Sequence, residues 1–131
     1  MKITIAQLKP TIGDLAHNAD QILQAVQTAA AEGARLVLTP ELSLCGYPPR
    51  DLLLRPRFIT TMRQTLEALA AQVPPHVAVL VGFAEPNERA SDRGEKPLFN
   101  SIAWLEAGEV KRVFHKKLLP TYAVYDEARY F

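Results

Sequence analysis

Cysteine is nearly absent, with Cys45 alone in 131 residues. A lone cysteine excludes an intrachain disulfide framework and a multi-cysteine metal site, and it fits a reducing compartment. Histidine is scarce too: His17, His76 and His115 stand far apart with no His-x-x-x-His spacing, so no metal site is expected. No sign of charge dominates. Fifteen Lys and Arg face fourteen Asp and Glu for a net charge of +1, which argues against a polyanion-binding module. No apolar run approaches the roughly 18–20 residues that cross a bilayer, and Met1-Lys2-Ile3-Thr4-Ile5 lacks the apolar core of a secretion signal. Neither a GxxxxGK(S/T) phosphate loop nor a GxGxxG turn occurs. What remains, 48% hydrophobic and 22% charged, is the profile of one ordinary globular domain or part of one. The expectation is a soluble, cytoplasmic chain with no membrane or nucleic-acid partner.

The pattern along the chain is α/β. Ile3, Ile5 and Leu8 read as a strand ending at Pro10, and Thr11-Ile12-Gly13-Asp14 as a turn. A helix is expected from about Asn18, with Ile22, Leu23, Val26 and Ala30 on one face, Asn18 or Asp14 as cap and Gly33 as stop. Leu36-Val37-Leu38 reads as a parallel strand covered on both faces. Phe58, Ile59, Met62, Leu66, Leu69 and Val73 mark a second helix, stopped by Pro74-Pro75, and His76 to Phe83 a buried strand. Residues 84–97 read as a surface loop. Asn100–Leu105 and Val110–Phe114 form a β-hairpin around Glu106-Ala107-Gly108-Glu109, and the tail from His115 to Phe131 shows no period.

Ligands of a parallel α/β sheet bind outside the carboxyl ends of its strands. Glu41 stands at such an end, directly after Leu36-Val37-Leu38-Thr39-Pro40. Apolar walls there would raise its pKa toward that of a general base, while the plainer alternative is a helix cap or a pair with an arginine. Lys116 and Lys117 follow Val113-Phe114 and could hold an oxyanion; spacing alone does not separate them, and both could equally be a solvated basic edge with Lys111 and Arg112. A nucleic-acid reading of that edge, with Phe114 and Tyr122 stacking, runs against the neutral net charge. Cys45 is four residues from Glu41, but sequence proximity supplies neither base nor oxyanion site, and free cysteine is usually buried. Gly46-Tyr47-Pro48-Pro49-Arg50-Asp51 is a rigid turn that could aim the Tyr47 hydroxyl into the pocket of Glu41.

Two long motifs then stand out: Pro40-Glu41-Leu42-Ser43-Leu44-Cys45-Gly46-Tyr47-Pro48-Pro49-Arg50-Asp51-Leu52-Leu53-Leu54, and His115-Lys116-Lys117-Leu118-Leu119-Pro120-Thr121-Tyr122-Ala123-Val124-Tyr125-Asp126-Glu127 with the residues to Phe131. In order and spacing they resemble the first and second catalytic segments of the nitrilase superfamily, and more narrowly the glutaminase domain of the glutamine-dependent NAD⁺ synthetase family. Ile3-Thr4-Ile5-Ala6-Gln7-Leu8, Gly13-Asp14 and Asn18 fit as well, so the likeness runs end to end. It implies the first part of an α-β-β-α sandwich, βαβαβ followed by a hairpin, with residues 1–131 the N-terminal portion of the domain. It implies a Glu-Lys-Cys triad in which Glu41 is the base and Lys116, three residues before Leu119, is the lysine, leaving Lys117 a bystander. Tyr47, Tyr122 and Tyr125 match the glutamine pocket, and Glu127 an acid that orients lysine and nucleophile. The family nucleophile lies on a later strand beyond Phe131. Cys45 takes a place where relatives commonly carry a small residue such as Thr, so the chain alone is expected to be inactive.

The resemblance implies glutamine hydrolysis through a glutamyl thioester. The ammonia would amidate nicotinic acid adenine dinucleotide at a synthetase domain that uses ATP and Mg²⁺. No cofactor is expected in residues 1–131, and a homo-oligomer is. Two alternatives remain open at this point: a stand-alone nitrilase-type amidase, and a non-catalytic fragment that self-associates through an uncovered sheet face.

Overall fold

The computed structural model of the chain describes residues 1–123 and 125–131; Val124 of the second motif lies outside the described residues. The order is β1 (Ile3–Ile5), α1 (Leu15–Ala31), β2 (Leu36–Leu38), α2 (Pro56–Ala70), β3 (Ala78–Pro86), α3 (Ala90–Arg93), β4 (Leu98–Glu106) and β5 (Glu109–His115), with 3₁₀ turns at Arg50–Leu54 and Glu127–Arg129. One five-stranded sheet runs β1-β2-β3-β4-β5. Its first three strands are parallel and its last three antiparallel. Two successive right-handed crossovers that step the same way along a sheet deliver both helices to the same face. Accordingly α1 and α2 lie side by side and close one core with Val37, Val79, Val81, Phe83, Ala103 and Leu105.

Each helix buries the stripe its sequence carries. In α1 the buried side chains are Leu15, Asn18, Ala19, Ile22, Val26 and Ala29; in α2 they are Ile59, Met62, Leu66, Leu69 and Ala70. Helix α1 begins earlier than periodicity suggests. Asp14 is the cap, its carboxylate accepting the His17 N–H at 3.1 Å. Asn18 lies inside the helix, buried, and ties three segments together: its Nδ2 donates to the Thr11 and Leu44 carbonyls at 2.8 and 3.1 Å, and its Oδ1 accepts the Thr11 N–H at 2.8 Å. The helix ends at Ala31, two residues before Gly33.

Three expectations are corrected. Strand β1 ends at Ile5 rather than Pro10, because Ala6 donates the last rung to Leu38 and the chain then turns away. Residues 84–97 are not all loop: β3 continues to Pro86, paired with Leu98, and the turn holds the four-residue α3. Helix α2 stops at Ala70, short of the two prolines, and Val73 is buried beyond its end. The hairpin matches its reading, with Ala107 and Gly108 at φ 51° and 80°, the type I′ geometry that follows strand twist.

The second sheet face is bare along its lower half. Ile3, Ile5, Ile102, Trp104 and Phe114 are all exposed on it, and Leu36, Leu38 and Leu80 are half-buried. Strand β2 is therefore covered on the helix side only, because the other side carries no second layer among the described residues. Toward the carboxyl ends of β2 and β3 the chain's own Pro40–Leu42 lie over Gly82, and Glu127 reaches Asn100.

What lets segment 40–54 lie so close is Gly82 in the middle of β3. A Cβ there would sit 2.8 Å from the Pro40 carbonyl oxygen and collide with the Leu42 amide, both of them backbone atoms that cannot rotate away. Gly82→Ala is expected to cost about 1–3 kcal/mol through overpacking, read as a lower urea midpoint, and to displace the turn that carries Glu41.

Candidate functional site

The site is assembled at the carboxyl end of β2 and β3. Thr39 continues the β2 ladder by donating its N–H to Leu80, and Leu44 donates to the Gly82 carbonyl at 3.0 Å, so both ends of the turn are pinned to β3. Between them the chain folds back sharply: Leu42 takes φ 48°, left-handed for a bulky residue, and its carbonyl accepts the N–H groups of Cys45 and Gly46. Such a conformation costs on the order of 1–3 kcal/mol and persists only where surroundings over-determine it. Full burial of Leu42 and Leu44 does so here. The result presents Glu41 outward, its side chain 45% exposed.

Lys116 arrives from the other side. It extends β5 by one residue, donating its N–H to the Asn100 carbonyl at 2.8 Å, so strand alternation places its side chain on the bare face with Phe114. Lys117, one residue on, is exposed and makes no ion pair among the described residues. The strand register thus separates two lysines that spacing alone left equivalent.

The Lys116 ammonium meets two carboxylates. Its Nζ donates to Glu41 Oε1 at 2.7 Å and to Glu127 Oε2 and Oε1 at 3.0 and 3.2 Å. Glu127 is only 4% exposed, and its remaining capacity is filled: Tyr47 Oη donates to Oε1 at 3.0 Å and Asn100 Nδ2 approaches Oε2 at 3.4 Å. The Asn100 amide also donates to Glu41 Oε1 at 2.7 Å. A buried carboxylate is tolerable only when its lone pairs are matched in this way.

The charges follow from the geometry. Burial would raise the Glu41 carboxyl, but hydrogen bonds from Lys116 and Asn100 and the lysine's charge outweigh it and hold the group below its ordinary value. This corrects the expectation of a raised pKa: the apolar wall is present, but a cation and an amide face the same oxygen. For Lys116 burial acts downward, while bonds and charge from Glu41 and Glu127 win and hold the ammonium above its ordinary value. The Tyr47 phenol is pushed well up, first by burial and then by the Glu127 carboxylate it donates to. Neutral donors and one cation therefore face two anions.

Of the three tyrosines read as pocket residues, Tyr47 alone enters the cluster, and its hydroxyl binds Glu127 rather than Glu41. Tyr125 follows it at 6.0 Å between ring centroids, and Tyr122 stands edge-on to Tyr125 at 5.5 Å, itself 70% exposed. Two cavities adjoin the cluster. One, of about 360 Å³, is lined by Thr39, Glu41, Asn100, Ile102, Phe114 and Lys116. The other, of about 320 Å³, lies against Glu127 and is walled by Tyr47, Arg50, Asp51, Asp126 and Arg129. Cys45 belongs to neither. It is fully buried, its Sγ 3.6 Å from the Leu42 carbonyl, and burial pushes the thiol up to about 12. Among the described residues no group of His, Cys, Asp and Glu could hold a metal ion, and no helix is long and apolar enough to cross a membrane.

Asn100 and Gly82 go unmarked as site residues in the sequence reading, and Asn18 reads there as a helix cap rather than as the tie between the turns. Only Asn100 left a signal: Leu98, Ile102 and Trp104 share its sheet face, and a lone amide in that apolar row needs partners.

Two outcomes are expected from this geometry. Cys45 should resist iodoacetamide in the folded chain and react only after denaturation, followed by intact mass. Lys116→Met should destabilise the fold by about 2–3 kcal/mol, the cost of leaving a buried carboxylate unmatched. The stabilisation from lowered Glu41 is present above its ordinary 4.5 and disappears as pH falls through its folded value. That from raised Lys116 is present below 10.5 and disappears as pH rises through its folded value. The difference between wild type and variant in urea unfolding is therefore widest between these limits and narrows on both sides.

Comparison with known proteins agrees with this arrangement. The carbon-nitrogen hydrolase family model matches residues 2–131. A glutamine-dependent NAD(+) synthetase of Synechocystis sp. is 53% identical over 129 residues, covering 98% of this chain and 23% of that protein. The structure of a glutamine-dependent NAD⁺ synthetase from Acinetobacter baumannii superposes with a TM-score of 0.84 at 35% identity, covering 97% of this chain and 23% of that one. An amidase from Nesterenkonia sp. superposes with a TM-score of 0.73 at 26% identity, over the whole of this chain and 47% of its own. The chain thus spans under a quarter of the synthetases it matches and about half of the amidase. With its sheet, its two same-side helices and its Glu41–Lys116–Glu127 cluster at the strand ends, the chain belongs to the carbon-nitrogen hydrolase family.

Proposed function

We propose that the chain is the glutaminase portion of a glutamine-dependent NAD⁺ synthetase, with glutamine as its substrate. The observation that carries the reading is the Lys116 ammonium held at 2.7 Å from Glu41 and 3.0 Å from Glu127, beside an open cavity. Glu41 is ionised over the neutral range and takes the proton of a thiol nucleophile. Lys116 supplies fixed positive charge to the oxyanion formed when that thiol adds to the glutamine side-chain amide, where a partly dry site makes such charge most effective. Glu41 returns that proton to the amide nitrogen, so collapse of the adduct breaks the C–N bond, expels ammonia and leaves a glutamyl thioester with Glu41 again ionised. Water activated by Glu41 then hydrolyses the thioester to glutamate.

Glu127 and Tyr47 orient the lysine, and Tyr122 and Tyr125 extend the aromatic edge along which glutamine binds. The nucleophile is not Cys45, whose thiol is buried and protonated; it comes from outside residues 1–131. The same proposal sends the ammonia to a synthetase domain, outside residues 1–131, where ATP and Mg²⁺ activate nicotinic acid adenine dinucleotide for amidation to NAD⁺. A cytoplasmic location and homo-oligomeric assembly complete it, the latter readable by light scattering.

The test uses a longer protein that includes this chain and the family's nucleophile segment. Lys116→Ala is expected to abolish ammonia release from glutamine, while Lys117→Ala and Cys45→Ser leave it largely intact. Loss in Lys117→Ala with retention in Lys116→Ala would overturn the lysine assignment. Hydrolysis of simple amides in preference to glutamine would favour the stand-alone amidase instead.

A further inference from the structure

Asn100 is the residue at which the three parts of the site meet. Its backbone carbonyl accepts the Lys116 N–H at 2.8 Å, setting the strand register that aims the lysine. Its side-chain Nδ2 donates to Glu41 Oε1 at 2.7 Å and reaches Glu127 Oε2 at 3.4 Å. Glu41 comes from the turn after β2, Lys116 from the end of β5, and Glu127 from the last 3₁₀ turn. No sequence neighbour links them. Asn100 sits in β4 between all three and is 4% exposed. A primary amide nitrogen carries two hydrogens in a fixed plane, one for each carboxylate, and it carries no charge. It can bridge two carboxylates that share one ammonium.

The consequence falls on a single atom. Glu41 Oε1 receives both Asn100 and Lys116, whereas among the described residues no donor reaches Oε2. Glu41 itself lines the cavity of about 360 Å³. We propose that Asn100 is a positioning residue for the site: by occupying Oε1 and bridging to Glu127 it leaves Glu41 Oε2 as the one carboxylate oxygen free to accept a proton. Its kinetic consequence rests on the amide-hydrolase reading above; its structural content does not.

The substitutions that test it differ in what they remove. Asn100→Leu keeps the branched shape and the number of heavy atoms and deletes both donors. Asn100→Ser keeps one hydroxyl donor and leaves room for water. In the 131-residue chain with carboxyl-labelled glutamate, the Glu41 signal should titrate at a higher pH in Asn100→Leu than in wild type, with Asn100→Ser between them. In wild type itself the Asn100 side-chain amide protons should shift with the same midpoint as the Glu41 carboxyl, a readout that needs no variant to fold. Amide protons indifferent to that midpoint, or an unmoved Glu41 titration in a folded variant, would overturn the proposal. In the longer protein carrying the nucleophile, Asn100→Leu should lower kcat for glutamine by roughly 10²-fold, the scale expected when a catalytic group loses its orientation, with KM little changed. Titration shifts without any glutamine hydrolysis in wild type would sink the glutaminase reading and leave the placement of Asn100 standing.

Discussion

Two carboxylates and one ammonium share a partly buried space, and the fold around them is arranged so that none is left unmatched. Glu127 is the demanding member. A carboxylate at 4% exposure has lost nearly all its water, and the cost of that loss exceeds what one ion pair returns. Lys116, Tyr47 and Asn100 together replace the solvent. Because those donors lie far apart in the sequence, satisfying Glu127 forces the turn after β2, the hairpin and the C-terminal segment into contact. The charge cluster thus acts as the clasp of the upper sheet face.

Backbone geometry decides where Glu41 stands relative to that clasp. The carboxylate is not carried on a strand or helix but on a turn with a left-handed leucine, pressed against a glycine that no larger residue could replace without collision. Asn18 then pins the same turn from below by binding the Leu44 carbonyl. Strain at Leu42 and close approach at Gly82 are the kind of local cost that packing elsewhere must offset, and the fully buried Leu42 and Leu44 side chains offset it directly. Rigid placement follows: Glu41 can be half in water and still hold one oxygen fixed.

Most of the architecture was legible from periodicity because each element buries a continuous stripe. Ile22 and Val26, Met62 and Leu66, and the alternation through β4 all behave as their spacing implies. The boundaries that shifted did so where tertiary bonds override propensity: Asp14 caps a helix that starts before its apolar stripe, and β3 runs on to Pro86 because Leu98 pairs with it. Glu41 and Lys116 were legible by position at strand ends, and the choice of Lys116 over Lys117 by motif. The depressed Glu41 carboxyl was not, because its causes are an ammonium 75 residues away and an amide 59 residues away in the chain. Long-range pairing leaves no local pattern unless, as with Asn100, a polar residue interrupts an apolar row.

The sign of that depressed carboxyl shapes the chemistry more than its size does. An apolar pocket alone would have kept Glu41 protonated at mild acidity and made it a stronger base once ionised. With an ammonium and an amide on one oxygen, the group is instead ionised across the neutral range and intrinsically weaker. Such a base suits a partner that is itself readily deprotonated, as a thiol is, better than it suits an alcohol. In the proposed reaction, the same ammonium that weakens the base would stand ready for the negative charge formed after proton transfer, when Glu41 becomes neutral and releases its share of Lys116. On that proposal, charge surrendered by the carboxylate and charge gained by the oxyanion would draw on one cation in sequence. Glu127, buried and bonded to the same ammonium, would hold that cation in place between the two events.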